Sequence, residues 1–219
     1  MEATMVRKLP DDLGFDDHED EILFTRAMLA ADPHASGLLA TTDSWLGRVD
    51  AARLLDRAGR EATMGASALR LVANAYLDGE CRAVGRDLAH DLNNDRSGVR
   101  WTRIFPTTVD AFISQPLGEQ ATACQAWITT DEPVIAARSE ALTRWSTAAQ
   151  TAIATTKASA QVRGTAMLAR ESLAEDLTRA RDGLARALSE RAEARALPRD
   201  YVERFFLKDR RRSKPEVAE

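Results

Sequence analysis

The chain has 219 residues, 44% of them apolar and 29% charged, with a formal net charge of −4; it is long enough to bury one large core or two small ones and too apolar for a disordered protein. Aromatic residues make up 5%, and 11 glycines and 7 prolines leave few places to turn, which argues against a sandwich or barrel of many short strands. Much of the apolar content is alanine, the strongest helix former, so the expected core is Ala and Leu between close-packed helices, and the acidic balance argues against nucleic-acid binding by a wholly basic surface.

Residues 1–15, with Pro10, Gly14 and the pair Asp11-Asp12, read as a flexible leader. A first helix is expected from Asp16-Asp17 to about Ala31. Its first turn carries Asp16, Asp17, Glu19, Asp20 and Glu21 against the positive end of the helix dipole, and Ile22, Leu23, Met28 and Leu29 supply its apolar face. Asp32-Pro33 ends it. Thr42 or Asp43 caps the next helix. Within it Trp45, Val49, Ala52 and Leu55, then Ala62, Ala66, Leu69, Ala73 and Tyr76, keep the rhythm of a helix packed on a partner. Gly59 and Gly65 weaken its middle by up to ~1 kcal/mol each and mark either a bend or the close approach of another helix. Asp78-Gly79 reads as its stop. A shorter helix follows, with Cys81, Val84, Leu88 and Leu92 on one side, ended by Asn93-Asn94-Asp95.

Residues 97–106 are the least helical stretch; Val99, Trp101 and Phe105 suit an extended connection anchored by its aromatics. A short helix is expected from Pro106-Thr107-Thr108 to about Ile113, and another, after Pro116 and Gly118, carries Ala121, Cys124, Ala126, Trp127 and Ile128. Thr130-Asp131-Glu132-Pro133 is a helix start. From there to Leu197 no proline intervenes, and the glycines are Gly164 and Gly183. Unbroken, this helix spans roughly 100 Å at ~1.5 Å per residue; a break near 157–164 is the alternative. Leu173, Leu177, Ala180, Leu184 and Ala187 form a heptad seam too short for a free coiled coil. Pro198 stops the helix, Tyr201, Val202, Phe205 and Phe206 return to the bundle, and 208–219 form a basic polar tail. Thr-Thr-Asp recurs at 41–43 and 129–131; helix capping explains it without an internal duplication.

No Gly-rich phosphate loop, nucleophile elbow, dinucleotide fingerprint or zinc spacing is present, so no cofactor is expected and nothing supports an enzyme. Cys81 and Cys124, far apart and in helix-like contexts, read as buried reduced thiols. Asp87 and His90 share one helix face and are candidate metal ligands, although no second Asp-x-x-His or Glu-x-x-His completes a bundle site. His18 reads as part of a solvated helix start, and His34 as a loop residue. Thr143, Thr147, Thr151 and Thr155 stand one turn apart and either bond back to carbonyls or line a polar groove. Lys208, Arg210, Arg211, Arg212 and Lys214 form a basic cluster that reads as a solubilising tail, with contact to a protein, a nucleic acid or an anionic membrane as the alternatives.

The expected fold is all-α: an elongated antiparallel helical bundle of long Ala/Leu-rich helices, dominated by 42–78 and 131–197, with no sheet and a single domain over 16–207. Long helices of this kind carry more apolar stripe than a narrow bundle covers, and a second copy covers the rest. The expected function is therefore a non-enzymatic interaction or scaffold protein that forms a homo-oligomer or binds another protein. Metal binding through Asp87 and His90, and nucleic-acid or membrane-surface association through the tail, are the alternatives. No window approaches ~18 unbroken apolar residues, so no transmembrane segment is expected; Met1–Pro10 lacks the apolar core of a signal peptide, and the location expected is cytoplasmic.

Overall fold

The computed structural model describes residues 13–207; most of the expected leader and the whole basic tail lie outside them. The described chain is an all-α bundle without a sheet. Its elements are α1 (Phe15–Ala31), a 3-10 turn (Ser36–Thr42), α2 (Asp43–Asp91), α3 (Val99–Ile104), α4 (Val109–Ile113), α5 (Leu117–Ile128), α6 (Pro133–Ala136), α7 (Ser139–Ala194) and a 3-10 turn (Val202–Phe205). The long helices, α2 of 49 residues and α7 of 56, pack against each other.

Two sequence expectations are corrected, each where burial overrides a local signal, and one open alternative is decided. Asp78-Gly79 does not stop α2, because the apolar stripe runs through it: Leu77, Cys81, Val84 and Leu88 are all fully buried, which outweighs the ~1 kcal/mol helix cost of one glycine. Residues 99–104 are helical, not extended. The buried members there are Trp101, Ile104 and Phe105, at helical spacing, whereas Val99 is 83% exposed. The long C-terminal stretch breaks after α6, not near 157–164. Through that region α7 is continuous, with Thr156 and Ser159 bonding back to the Ala152 and Thr156 carbonyls.

The described residues gather into two compact units, one of 13–57 with 165–207 and the other of 58–164, and α2 and α7 contribute to both. In the first, Ile22 and Leu29 of α1, Trp45 and Val49 of α2, Leu173, Leu177, Leu184 and Leu188 of α7 and Phe205 form one core. The C-terminal segment is tied in by buried polar groups. Thr25 donates its hydroxyl to the Phe205 carbonyl at 2.9 Å. Arg181 pairs with Glu21 at 2.9 Å and lies 5.0 Å over the Phe206 ring.

In the second unit the short helices α3 to α5 supply an aromatic cluster. Phe105 touches Trp101, Phe112 and Trp127 at centroid distances of 5.4, 5.6 and 5.2 Å. This cluster packs on α2 from Ala73 to Ala89 and on α7 from Leu142 to Ala152. Gly85 allows the closest approach: a Cβ there would lie 2.6 Å from Val109 Cγ2. Arg100 clamps the buried Glu132 at 2.6 Å, and Arg138 reaches from ahead of α7 to Asp87 and Glu80 on α2.

Candidate interaction face

Within the second unit, the part of α2 ahead of the aromatic cluster is built unlike the rest. Between Glu61 and Asp78 Arg70 is the one charged residue. Thr63, Ser67, Arg70 and Asn74, spaced four, three and four apart, collect the polar side chains on a single line of the helix. The remaining circumference is apolar. A helix of that kind is normally buried on most sides. Here only a narrow line of small residues is buried: Gly59, Ala66 and Ala73, seven apart. The larger side chains beside them face outward, with Leu69 51%, Val72 50%, Met64 72% and Leu71 72% exposed. No residue of α2 between 58 and 72 belongs to the core of this unit.

The facing length of α7 repeats the pattern. Its core contribution ends at Ala152, and beyond it Ile153 and Val162 are exposed. Between Arg144 and Arg163 the one charge is Lys157. At one end of the open stretch Tyr76 stacks on Trp145 at 4.2 Å and nearly parallel, and the Arg144 guanidinium covers the Trp145 ring at 4.9 Å. Gly65 and Gly164 lie in these stretches, and a Cβ on either would meet nothing within 4 Å. Neither glycine is required by the fold of the chain itself, although each costs up to ~1 kcal/mol of helix stability relative to alanine. A glycine on an open helix face admits the backbone of another helix.

The residues singled out in the sequence are placed as follows. Asp87 accepts two hydrogen bonds from Arg138, Nε at 2.8 Å and Nη2 at 2.6 Å, and these raise the Arg138 pKa. His90 is exposed, and no group of three His, Cys, Asp or Glu suited to a metal ion occurs among the described residues. Lys208, Arg210, Arg211, Arg212 and Lys214 lie outside those residues. Cys81 and Cys124 are free, buried and in contact, Sγ to Sγ 3.6 Å; that contact and burial push the Cys81 thiol far above its usual range. Thr143, Thr151 and Thr155 bond back to carbonyls one turn earlier.

His18 is a correction. It is 3% exposed, not solvated, because α1 turns this position toward Arg170 and Arg181 of α7. Burial lowers its pKa, Asp17 opposes that shift, and Arg170 and Arg181 add to it. Burial likewise raises the Glu21 pKa, against the opposing pull of Arg181 and of the Leu207 N–H. The sequence predicts an uncovered apolar stripe without locating it, because the seam through Ala62, Ala66, Leu69, Ala73 and Tyr76 reads as one stripe. The structure divides it: Ala66 and Ala73 are buried, while Leu69 and Tyr76 are exposed. The available signal was the near absence of charge from 62 to 77. No helix of the described residues is long and apolar enough to cross a membrane. No protein-family model, curated protein or solved structure matches the chain.

Proposed function

We propose that this protein is a non-enzymatic helical interaction protein that self-associates through the open α2 and α7 stretch of its second unit. The observation that carries the reading is the exposure of Met64, Leu69, Leu71, Val72 and Tyr76 on a helix length with one charge. Covering a half-exposed apolar side chain contributes on the order of 1 kcal/mol. Seven such side chains on each of two copies, these five with Ile153 and Val162, supply a term on the order of 10 kcal/mol. That is the size needed to offset the loss of translational and rotational freedom on association. A second copy is the favoured occupant because the same exposed, nearly uncharged apolar sector occurs on both partners, the condition for a two-fold interface. Gly65, open on its Cβ side, lets two helix backbones come close.

Sedimentation velocity across the micromolar range tests this. The expected result is a dimer or higher species for the natural chain. A double variant Leu69→Glu, Val72→Glu, altered only at exposed positions, is expected to be monomeric with unchanged helicity. A natural chain that is monomeric at every concentration overturns the proposal, and so does a double variant that associates as before.

A further inference from the structure

At the far end of α2 in the same unit is a cleft of about 430 Å3, within the range of small-molecule sites. Arg82, Arg86 and His90 stand one turn apart on one face of α2 and form one wall. Asn94 and Arg96, from the turn that follows the helix, form another, and the buried Trp101 also lines the cleft. No carboxylate lines it, in a chain whose net charge is −4.

The construction of the second wall is specific. Asn93 and Asn94 take left-handed backbone conformations, φ 51° and 64°, which asparagine tolerates better than most residues. The Asn94 N–H then bonds the Ala89 carbonyl at 2.7 Å, so the chain reverses directly at the helix end. Asp95 fixes the next turn by accepting from the backbone and hydroxyl of Ser97. This brings Arg96 back over Trp101, 5.3 Å from the ring centroid. A guanidinium lying on an indole keeps its N–H edge free for an anion.

The acids near this wall are committed elsewhere. Asp87 gives one oxygen to two hydrogen bonds from Arg138, and its other oxygen is 3.8 Å from Arg86 Nε. Asp91 is held by Arg100 at 2.8 Å. Asp78, which feels the charge of Arg82, takes a hydrogen bond from Asn74. Among the described residues Arg82 and Arg96 form no ion pair. Arg82, Arg86 and Arg96 thus line one cleft that no carboxylate lines, and the nearest acids, Asp87 beside Arg86 and Asp78 beside Arg82, are shared with Arg138 and Asn74. Guanidinium forks match phosphate and carboxylate oxygens in pairs.

We infer that the cleft framed by Arg82, Arg86, His90, Asn94 and Arg96 binds a small polyanion carrying at least two phosphate or carboxylate groups. Isothermal titration of the full chain at low salt tests this, with inorganic pyrophosphate in one arm and citrate in the other. The expected result is saturable one-to-one binding in at least one arm. Pyrophosphate binding without citrate binding assigns a phosphate ligand, and the converse assigns a carboxylate. Arg86→Gln and Arg96→Gln are each expected to weaken binding about tenfold, the loss of a charge-assisted contact. Arg199→Gln, an exposed cation outside both the cleft and the open α2 and α7 face, is expected to leave it unchanged. Absence of binding at millimolar anion overturns the inference. So does an effect of Arg199→Gln as large as those of the cleft variants, since the attraction would then be general. Arg82→Gln provides a third cleft variant should Arg96→Gln disturb the turn; retained affinity in both Arg82→Gln and Arg86→Gln also overturns it.

Discussion

Two glycines of α2 have opposite surroundings, and substituting each separates the needs of the fold from those of an interface. At Gly85 a methyl group would sit 2.6 Å from Val109 Cγ2 and 3.6 Å from the Phe105 ring. Val109 begins α4, whose backbone is fixed by the Thr108 hydroxyl accepting from the Ala111 N–H at 3.1 Å, so relief requires moving the aromatic cluster. Overpacking of this kind costs about 1–3 kcal/mol. Gly85→Ala is therefore expected to lower the urea midpoint by a corresponding amount. At Gly65 a methyl group meets nothing within 4 Å. Alanine there gains helix propensity and reduces the freedom of the unfolded chain, together up to about 1 kcal/mol. Gly65→Ala is expected to raise the midpoint at low protein concentration, where the monomer is measured, and to weaken association. A lowered midpoint for Gly65→Ala under those conditions would show that a contact within the chain needs the glycine.

At the scale of the element, α1 is attached through groups that titrate. Native His18 is kept neutral by burial, while in the unfolded chain it titrates near its usual 6.5. As pH falls through 6.5 the unfolded chain takes up a proton that the native chain takes up only at lower pH, so stability present above that window is lost within it. Glu21 has the opposite sign. Its native pKa lies above its usual 4.5, so acidification from the raised value down to 4.5 returns some stability. The groups facing His18 are Asp17, Arg170 and Arg181. Urea midpoints of the natural chain are expected to fall on acidification just below neutrality, and His18→Leu to flatten that fall; an equally steep fall in the variant places the titration elsewhere. Much of this element was legible in advance. The acidic first turn, Ile22, Leu29 and the Asp32-Pro33 end follow from charge and spacing. The burial of His18 was not, because the α7 residues that face it, Arg170 and Arg181, lie more than 150 positions later in the chain. The same limit explains α3 and the continuity of α2. Local spacing cannot say which of Val99, Trp101, Ile104 and Phe105 meets a core, nor that Leu77, Cys81, Val84 and Leu88 share one across Gly79. The cleft depends on a left-handed turn at Asn93 and Asn94, and the sequence marked that turn only as a helix end.

For the molecule as a whole, the distribution of charge matters more than its sum. The net charge is −4, yet from Ala141 to Arg170 there is no acidic residue, and from Ala62 to Leu77 Arg70 is the one charge. Contacts between two copies through these stretches would therefore juxtapose apolar side chains and a few like-charged cations. Salt screens the repulsion between Arg70 and Lys157 and does not weaken apolar burial. Self-association is accordingly expected to persist or tighten as salt is raised. Because a partner that binds only the folded state stabilises it by mass action, the thermal midpoint of the natural chain is expected to rise with protein concentration, while that of Leu69→Glu, Val72→Glu stays constant. An association that dissolves at moderate salt would be ionic. It would move the interface away from the Met64, Leu69, Leu71, Val72 and Tyr76 surface and toward the arginine-lined end of α2, where pyrophosphate should then compete with it.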